Sequence, residues 1–204
     1  MTYMTGFTVK EIFKTAACFF ENWDDEFKNE LVHKFELDVS KKYKALSKGM
    51  ESMVGIIIGL VSRAPLTIFD ETYLGLDAAA RQLFYDILLQ DYLKNPRTII
   101  FSTHLIDEVS TIFENIIILN KGKVLLDDSM ENVMSKAFLI SGNKEKITEL
   151  ANNKNVLNTQ PLGYLEKAYV FDEIKEEEIR ELKFKGMDVK PMSLQELFIR
   201  ITSK

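Results

Sequence analysis

Two short apolar runs, residues 66–69 and 98–101, constrain the fold more than any other feature of this sequence. The first run follows Pro65, and a short apolar run bounded by a breaker is typical of a buried strand in a parallel sheet. Between the runs, residues 78–93 carry apolar side chains at helical spacing and end just before Pro96. This succession of strand, helix and strand predicts an α/β fold built on a parallel sheet.

Acidic residues follow the first apolar run at the place where open α/β sheets bind their ligands. Asp70 and Glu71 stand at the carboxyl end of the predicted strand. One carboxylate of such a pair can hold Mg²⁺, usually through water, and its neighbour can orient or deprotonate an attacking water. The alternative interpretation is an ordinary strand end followed by a polar turn.

The second apolar run also ends in residues that can take part in phosphate chemistry. The segment Ser102-Thr103-His104 follows it directly. A histidine at the carboxyl end of a strand can donate a hydrogen bond to a phosphate. A purely structural role is the alternative for His104 when it is considered alone.

The start of a predicted helix offers a further place for an anion. Ser47, Lys48 and Gly49 precede the segment 50–63, which has apolar residues at helical spacing. A helix N-terminus presents free backbone N–H groups and the positive end of the helix dipole, which together favour an anion. Ser47 acting as an ordinary N-cap is the alternative, and Asp77 can cap the next predicted helix in the same way.

In order and spacing, these pieces resemble the second half of an ATP-binding cassette (ABC) ATPase. Residues 46–50 (LSKGM) resemble the signature sequence, usually LSGGQ, and residues 66–71 resemble the Walker B strand with its catalytic glutamate. Residues 75–77 (GLD) resemble the D-loop, and His104 resembles the switch histidine. The resemblance covers about residues 5–127. With residues 8–11 (TVKE), residues 22–24 (NWD) and the form LSKGM, the chain looks most like single-cassette exporter ATPases of the YtrB-like kind.

For the strand-end residues, the resemblance implies the chemistry of ATP hydrolysis with ATP and Mg²⁺ as cofactors. Asp70 would serve Mg²⁺, Glu71 would serve the attacking water, and His104 would contact the γ-phosphate bound by the same subunit. The complete protein would then be the ATP-hydrolysing subunit of a membrane transporter, of exporter type.

For the helix-start residues, the resemblance implies a role in a head-to-tail dimer of nucleotide-binding domains. Ser47, Lys48 and Gly49 would face the ATP held by the second domain, and Asp77 would contact that domain directly. The second domain could be identical or different, and a transmembrane permease subunit is the other implied partner.

The sequence also departs from the family pattern. No G-x-x-x-x-G-K-[ST] phosphate loop, the Walker A motif, occurs in the 204 residues. The signature has Lys48 for glycine and Met50 for glutamine, and residues 72–74 (TYL) stand where the family usually has Pro-Thr-Ser. We therefore expect either the C-terminal two-thirds of a cassette or a degenerate relative, inactive as an ATPase by itself.

We predict three parts in the chain. Residues 1–45 would form a partial helical subdomain. Residues 46–135 would form the C-terminal part of a RecA-like P-loop NTPase core that lacks its Walker A strand. Residues 136–204, where the composition shifts, would form a small α+β appendage.

Local signals predict several further helices. Thr8 with Glu11, and Ser193 with Glu196, match the capping-box pattern at the start of a helix. Residues 105–113 are also predicted to form a short helix. Such start signals are local in sequence, so they predict where helices begin better than how the helices pack.

The amino-acid composition indicates in which compartment the protein works and which classes of partner it can bind. The net charge of −5 argues against a nucleic-acid surface, which needs clustered lysine and arginine. The one cysteine, Cys18, excludes an internal disulfide, fits a reducing cytosol, and is predicted to be a small core residue. The longest apolar run, residues 53–61, is far shorter than the roughly 20 residues of a membrane span. We therefore expect a cytoplasmic protein that reaches the inner face of the membrane through a permease.

Two alternatives stay open beside a hydrolysing subunit. One is a non-catalytic regulatory or assembly subunit that supplies only the signature side to a complete partner. The absent phosphate loop favours it, whereas Glu71 and His104 argue against it. The other is a DNA-repair or ribosome-associated cassette protein, but the long coiled coils or basic linkers of those proteins do not occur here.

Overall fold

The computed structural model describes residues 6–203, and the chain divides into two compact units, the first ending at His104 and the second beginning at Leu105. The first unit contains α1 (Val9–Ala17), α2 (Asp25–Lys34), a 3-10 turn (Tyr43–Ala45), α3 (Lys48–Val61), β1 (Leu66–Asp70), α4 (Ala78–Lys94) and β2 (Thr98–Ser102). The second contains α5 (Ile106–Val109), β3 (Asn115–Asn120), β4 (Lys123–Ser129), α6 (Met130–Ser135), β5 (Ala137–Gly142), α7 (Lys144–Asn153), β6 (Val156–Leu162), β7 (Leu165–Phe171), α8 (Glu176–Phe184), β8 (Asp188–Pro191) and α9 (Leu194–Thr202). The domain boundaries predicted from the sequence, after residues 45 and 135, differ from this division and stay predictions.

The predicted caps begin the helices. Thr8 and Ser193 form capping boxes at the starts of α1 and α9. Ser47 accepts a hydrogen bond at the start of α3, and Asp77 does so at the start of α4. These side chains satisfy backbone N–H groups that have no partner inside the helix, so each start is fixed by a local interaction.

Strands β1 and β2 pair in parallel, with α4 as the connection between them. Aromatic rings fill the space between the strands and α4: the ring of Phe84 lies 5.4 Å from that of Phe69 and 5.9 Å from that of Phe101. Helix α3 approaches the same face closely, because a Cβ on Gly59 would lie 2.6 Å from the Phe69 ring. A glycine in mid-helix is thus explained by close helix–sheet packing.

The prediction that both strands are buried holds for one face only. Thr67 and Phe69 are buried, whereas Ile68 and Ile100 are 58% and 48% exposed. Side chains alternate between the two faces of a strand, and α3 and α4 both pack on the face that carries Phe69.

The second unit contains a β3–β4 hairpin and a four-stranded antiparallel sheet in the order β6-β7-β5-β8. Helices α7 and α8 pack with one set of apolar sheet residues, among them Ile140 and Val170. Helices α6 and α9 pack with another set, among them Ala137 and Tyr169. This unit is an α+β arrangement in which helices cover both faces of the sheet.

Two local predictions need correction. The helix predicted for residues 105–113 is shorter: α5 ends at Val109 with Ser110 as its C-cap, since serine side chains compete with the helical backbone for hydrogen bonds. Cys18 is exposed, not a core residue, because α1 ends at Ala17 and the Cys18 thiol donates to the Lys14 carbonyl at the helix end. Among the helices of residues 6–203, none has the length and apolarity needed to cross a bilayer.

A buried ionic network ties three helices of the first unit together. Asp91 of α4 is 4% exposed and forms ion pairs with Arg63, just after α3, and with Arg97, whose Nη2 lies 2.8 Å from Asp91 Oδ2. Arg63 Nη2 also donates to Oδ2 of Asp24, the cap of α2, at 2.9 Å. The Arg63 guanidinium lies 4.7 Å above the Phe27 ring. Charges removed from water in this way are stable only while each has its partner.

Protonation shifts in this network follow from its hydrogen bonds. Burial opposes ionisation of Asp24, yet the bonds from Phe27 N–H and Arg63 lower its pKa below the ordinary value. Burial also opposes the charge on Arg63, whose pKa is nevertheless raised by its bonds to Asp24 and Asp91. Because the pKa of Asp24 is lower in the folded chain, its contribution to stability is complete above the unfolded value, about 3.9, and is lost as pH falls through the folded value.

Replacing Asp91 with alanine should lower the free energy of unfolding by about 3 to 5 kcal/mol, because Arg97 loses its ion-pair partner and Arg63 loses one of its two. Urea unfolding of the wild type and the variant measures this difference. The matched control is Asp86→Ala, an exposed aspartate of the same helix, which should change stability by only about 0.5 kcal/mol. Equal losses in the two variants would contradict the account of the network.

Candidate active site

The parallel register of β1 and β2 assembles a strand-end cluster, which consists of Asp70, Glu71, Tyr73, Ser102 and His104. Asp70 pairs with Ser102 in the ladder, and the Ser102 hydroxyl donates to Asp70 Oδ1. The backbone N–H of Glu71 donates to the Ser102 carbonyl at 3.2 Å. The ends of two neighbouring strands therefore carry the predicted phosphate-chemistry residues to one edge.

Glu71 leaves the strand in an unusual backbone conformation. Its φ is +46°, in the left-handed region, which costs a non-glycine residue of order 1–3 kcal/mol. Here the chain turns away from β1, and the Glu71 side chain meets His104: Oε1 lies 3.1 Å from Nδ1. The side chains of Glu71 and His104 are 44% and 59% exposed, so both are open to a ligand from solvent.

Tyr73 supports His104 from the buried side of the cluster. Its hydroxyl lies 2.9 Å from His104 Nδ1 and accepts the His104 backbone N–H at 3.1 Å. The residue is 2% exposed, and its ring stacks on Phe101 with the planes 13° apart. Tyr73 thus contacts both the backbone and the ring of the histidine.

The second group of predicted site residues, Ser47, Lys48 and Gly49, lies at the start of α3. Ser47 Oγ accepts the Met50 N–H at 3.2 Å, so Ser47 is the N-cap. Ser47 and the following Lys48 are exposed. An exposed N-terminus on a helix of 14 residues has the free N–H groups and dipole that favour an anion, as the sequence predicts.

Gly49 is in a close backbone contact that its position in the sequence does not reveal. It is buried against the loop of residues 72–76, and a Cβ added to it would lie 2.5 Å from the Gly75 carbonyl oxygen. Gly75 has φ +86°, and a Cβ there would lie 3.0 Å from Lys48 Cβ. The two glycines therefore allow the backbone at the start of α3 to pack directly on the backbone of this loop.

Further contacts attach the loop of residues 72–76 and the start of α4 to their neighbours. The Ser52 hydroxyl donates to the Leu74 carbonyl at 2.6 Å, which joins α3 to the loop. Asp77 Oδ1 accepts the Ala80 N–H at 2.8 Å, so this residue caps α4. Residues 72–76 thus connect the strand-end cluster to the start of α3.

The donor atoms at the strand end fit Mg²⁺ that binds together with a nucleotide. Mg²⁺ prefers oxygen ligands and usually takes one or two carboxylates, with waters and substrate phosphates completing its shell. The exposed Asp70 carboxylate, which accepts a hydrogen bond from Ser102, has the chemistry of such a ligand, and its role in holding Mg²⁺ stays a prediction. Within residues 6–203, no group of three or more histidine, cysteine, aspartate or glutamate side chains is placed to hold a metal.

No protein-family model matches the chain. The chain is 26% identical to the ABC transporter ATP-binding protein YtrB of Bacillus subtilis, in an alignment that covers 95% of this chain and 67% of YtrB. The chain is a homologue of ABC transporter ATP-binding proteins. A second relative, the uncharacterised ABC transporter ATP-binding protein YmeB of Lactococcus lactis, is 31% identical over 53% of this chain and 42% of its own length.

A third relative is an uncharacterised ABC transporter ATP-binding protein of Methanocaldococcus jannaschii, 28% identical over 78% of this chain and 54% of its own length. The chain thus spans between 42% and 67% of the length of these three ABC proteins.

Solved structures confirm the predicted fold class. An ATP-binding subunit of an ABC transporter superposes with a TM-score of 0.57 at 25% identity, covering 63% of this chain and 55% of the other. A putative cobalt transport ATP-binding protein has a TM-score of 0.54 at 16% identity, covering 89% and 68%, and shows the fold alone. The chain has the α/β fold of ABC ATPase domains.

Sequence reasoning about this ABC homologue missed two residues of the strand-end cluster. Ser102 could have been found by aligning the carboxyl ends of the two predicted strands, because the register places it beside Asp70. Tyr73 gave one signal, its departure from the usual family residues, but its bond to His104 depends on the fold. The structure brings Asp70, Glu71 and His104 together, and their roles in hydrolysis stay predictions.

Substitution of Gly49 with alanine should lower the free energy of unfolding by about 1 to 3 kcal/mol, the usual cost of an overpacked contact. It should also shift the amide NMR signals of residues 72–76, because the Gly75 carbonyl must move. The control is Gly55→Ala in the same helix, where an added Cβ meets nothing within 4 Å. The free energy of unfolding of Gly55→Ala should rise by up to about 1 kcal/mol, because alanine favours the helix over glycine. A stable Gly49→Ala protein with unshifted loop signals would contradict the packing argument.

Proposed function

We propose that this chain is part of the ATP-binding and ATP-hydrolysing subunit of an ABC-type membrane exporter. The observation that supports it best is the placement of Glu71 Oε1 3.1 Å from His104 Nδ1, beside Asp70 at the carboxyl end of two parallel strands. Such an edge is where α/β sheets bind ligands, and the three side chains supply the groups that phosphoryl transfer to water needs.

In this proposal each strand-end residue acts on a different part of the reaction. Glu71 orients the attacking water and accepts its proton, for which its exposed carboxylate is suitably open. His104 donates a hydrogen bond to the γ-phosphate through the ring nitrogen that faces away from Glu71. Asp70, which accepts a hydrogen bond from Ser102, would hold Mg²⁺. The Mg²⁺, when bound with ATP, supplies charge neutralisation on the β- and γ-phosphates.

The start of α3 is proposed to serve a second ATP. Ser47, Lys48 and Gly49 would face the γ-phosphate held by a second nucleotide-binding domain, and Asp77 would contact that domain. Lys48 adds a cation at the position where the LSGGQ signature, which residues 46–50 resemble, has glycine. Paired charges about 4 Å apart are worth roughly 1 kcal/mol in water and about 4 kcal/mol at an effective dielectric of 20. The subunit would associate with a permease at the cytoplasmic face of the membrane.

A second candidate function is a non-catalytic subunit that supplies only the signature side to a complete partner cassette. The absence of a G-x-x-x-x-G-K-[ST] motif from the 204 residues favours it. For the same reason, residues 1–204 by themselves are proposed to lack ATPase activity. The presence of Glu71 and His104 in contact favours the hydrolysing subunit, since a signature-only subunit needs neither.

Replacing Glu71 with glutamine in the full-length gene product should reduce the rate of ATP hydrolysis by about 10² to 10⁴, since proton acceptance is lost and the side-chain shape is kept. ATP affinity should stay the same, because the change affects a step after binding. Phosphate release and equilibrium binding of radiolabelled ATP measure the two quantities. The control is Glu21→Gln, an exposed glutamate of the same unit, which should hydrolyse ATP at the wild-type rate.

The outcomes separate the two candidate functions. Unchanged hydrolysis in Glu71→Gln means that Glu71 is not the base. Hydrolysis that is absent from the wild type but appears when a complete partner cassette is added supports the signature-only subunit.

A further inference from the structure

One nitrogen of His104 has two competing neighbours. Nδ1 lies 2.9 Å from the Tyr73 hydroxyl and 3.1 Å from Glu71 Oε1. In a neutral imidazole, Nδ1 carries either a hydrogen or a lone pair. A hydroxyl can donate or accept, whereas an ionised carboxylate can only accept. The two neighbours therefore favour opposite protonation states of the same atom.

The two states differ in what they leave for chemistry. If Nδ1 donates to Glu71, the carboxylate is occupied by the histidine, and Nε2 of the neutral ring has only a lone pair. If Tyr73 donates to Nδ1, the ring hydrogen is on Nε2, which can then donate to an anion, and Glu71 is not bound by the ring. Only the second state combines a donor for a phosphate with a free carboxylate.

The surroundings of Tyr73 favour the second state. Its oxygen already accepts the His104 backbone N–H at 3.1 Å, so the hydroxyl hydrogen is the remaining group for Nδ1. The ring is buried and stacked on Phe101, with centroids 6.2 Å apart, which fixes the position of the hydroxyl oxygen. Buried hydroxyl groups rarely stay without an acceptor, and Nδ1 is the acceptor 2.9 Å away.

We propose that Tyr73 is a positioning residue that places the ring hydrogen of His104 on Nε2 and thereby releases Glu71 from the histidine. The proposal rests on the proposed function only in taking a nucleotide phosphate as the acceptor of Nε2–H. It gives a physical reason for tyrosine among residues 72–74, where this chain departs from the usual family sequence.

The test is the tautomer of His104, measured by ¹⁵N NMR of the imidazole nitrogens under mildly basic conditions, where histidine rings are neutral. The chain has two histidines, so His33 of α2 is an internal reference. Tyr73→Phe keeps the buried ring and removes the hydroxyl. It should move the ratio of Nδ1–H to Nε2–H forms upward by up to about tenfold, the effect of one hydrogen bond.

Two further variants make this result specific. Tyr73→Phe combined with Glu71→Ala should reverse most of the shift, because no carboxylate then attracts the hydrogen to Nδ1. The control Tyr43→Phe, which removes a hydroxyl elsewhere in the same unit, should leave the His104 signals unchanged. A Tyr73→Phe spectrum identical to the wild type would overturn the proposal, as would an equal shift in His33.

Kinetics separate this proposal from the proposed function. In the full-length gene product, Tyr73→Phe should lower kcat by up to about tenfold with little change in KM, since substrate binding does not use the hydroxyl. A wild type that hydrolyses ATP while Tyr73→Phe leaves the tautomer unchanged overturns the role of Tyr73 alone. The opposite result is a wild type that does not hydrolyse ATP, together with a Tyr73→Phe variant whose His104 tautomer ratio shifts as expected. That result contradicts the hydrolytic function and supports the positioning of His104 by Tyr73.

Discussion

The parallel pairing of β1 with β2 is the interaction on which the candidate site depends. It places Asp70 beside Ser102, and it brings the residues that follow each strand to the same edge of the sheet. Glu71 and His104 are 33 residues apart in sequence, and only this pairing places their side chains within 3.1 Å. A change of one residue in the register would move every side chain to the other face. The chemistry of the site is therefore a consequence of strand register.

The pairing is supported by packing that leaves little freedom for substitution. The rings of Phe69, Phe84 and Phe101 form the core beneath the strands, and Gly59 lets α3 approach them closely. At the other end of α3, Gly49 packs against Gly75 in the loop of residues 72–76. The same helix thus fixes the sheet at one end and the loop after the strand at the other. A movement of α3 would therefore displace both the β1–β2 sheet and the loop of residues 72–76.

Much of this arrangement could be predicted from sequence because its signals are local. The caps Ser47 and Asp77, the acids after β1 and the histidine after β2 are all found by spacing along the chain. Strand β6 is not predicted from the sequence because none of its residues is buried, so it lacks the alternation of apolar and polar side chains that marks a strand. Strand β8 is not predicted because it has only four residues. The network around Asp91 could not be found, since Arg63 lies 28 residues away. The hydrogen bond of Tyr73 to His104 likewise depends on how a loop folds over a strand.

Under the proposed function, the strand-end cluster lies against the metal-bound phosphates of ATP. The most direct measurement replaces Mg²⁺ with paramagnetic Mn²⁺ and follows the ring NMR signals of both histidines during titration of the full-length gene product with Mn²⁺–ATP. Paramagnetic broadening falls steeply with distance from the ion. The account predicts that the His104 signals broaden strongly while those of His33, on α2, stay sharp. Sharp His104 signals at saturating Mn²⁺–ATP, or equal broadening of both rings, would contradict it.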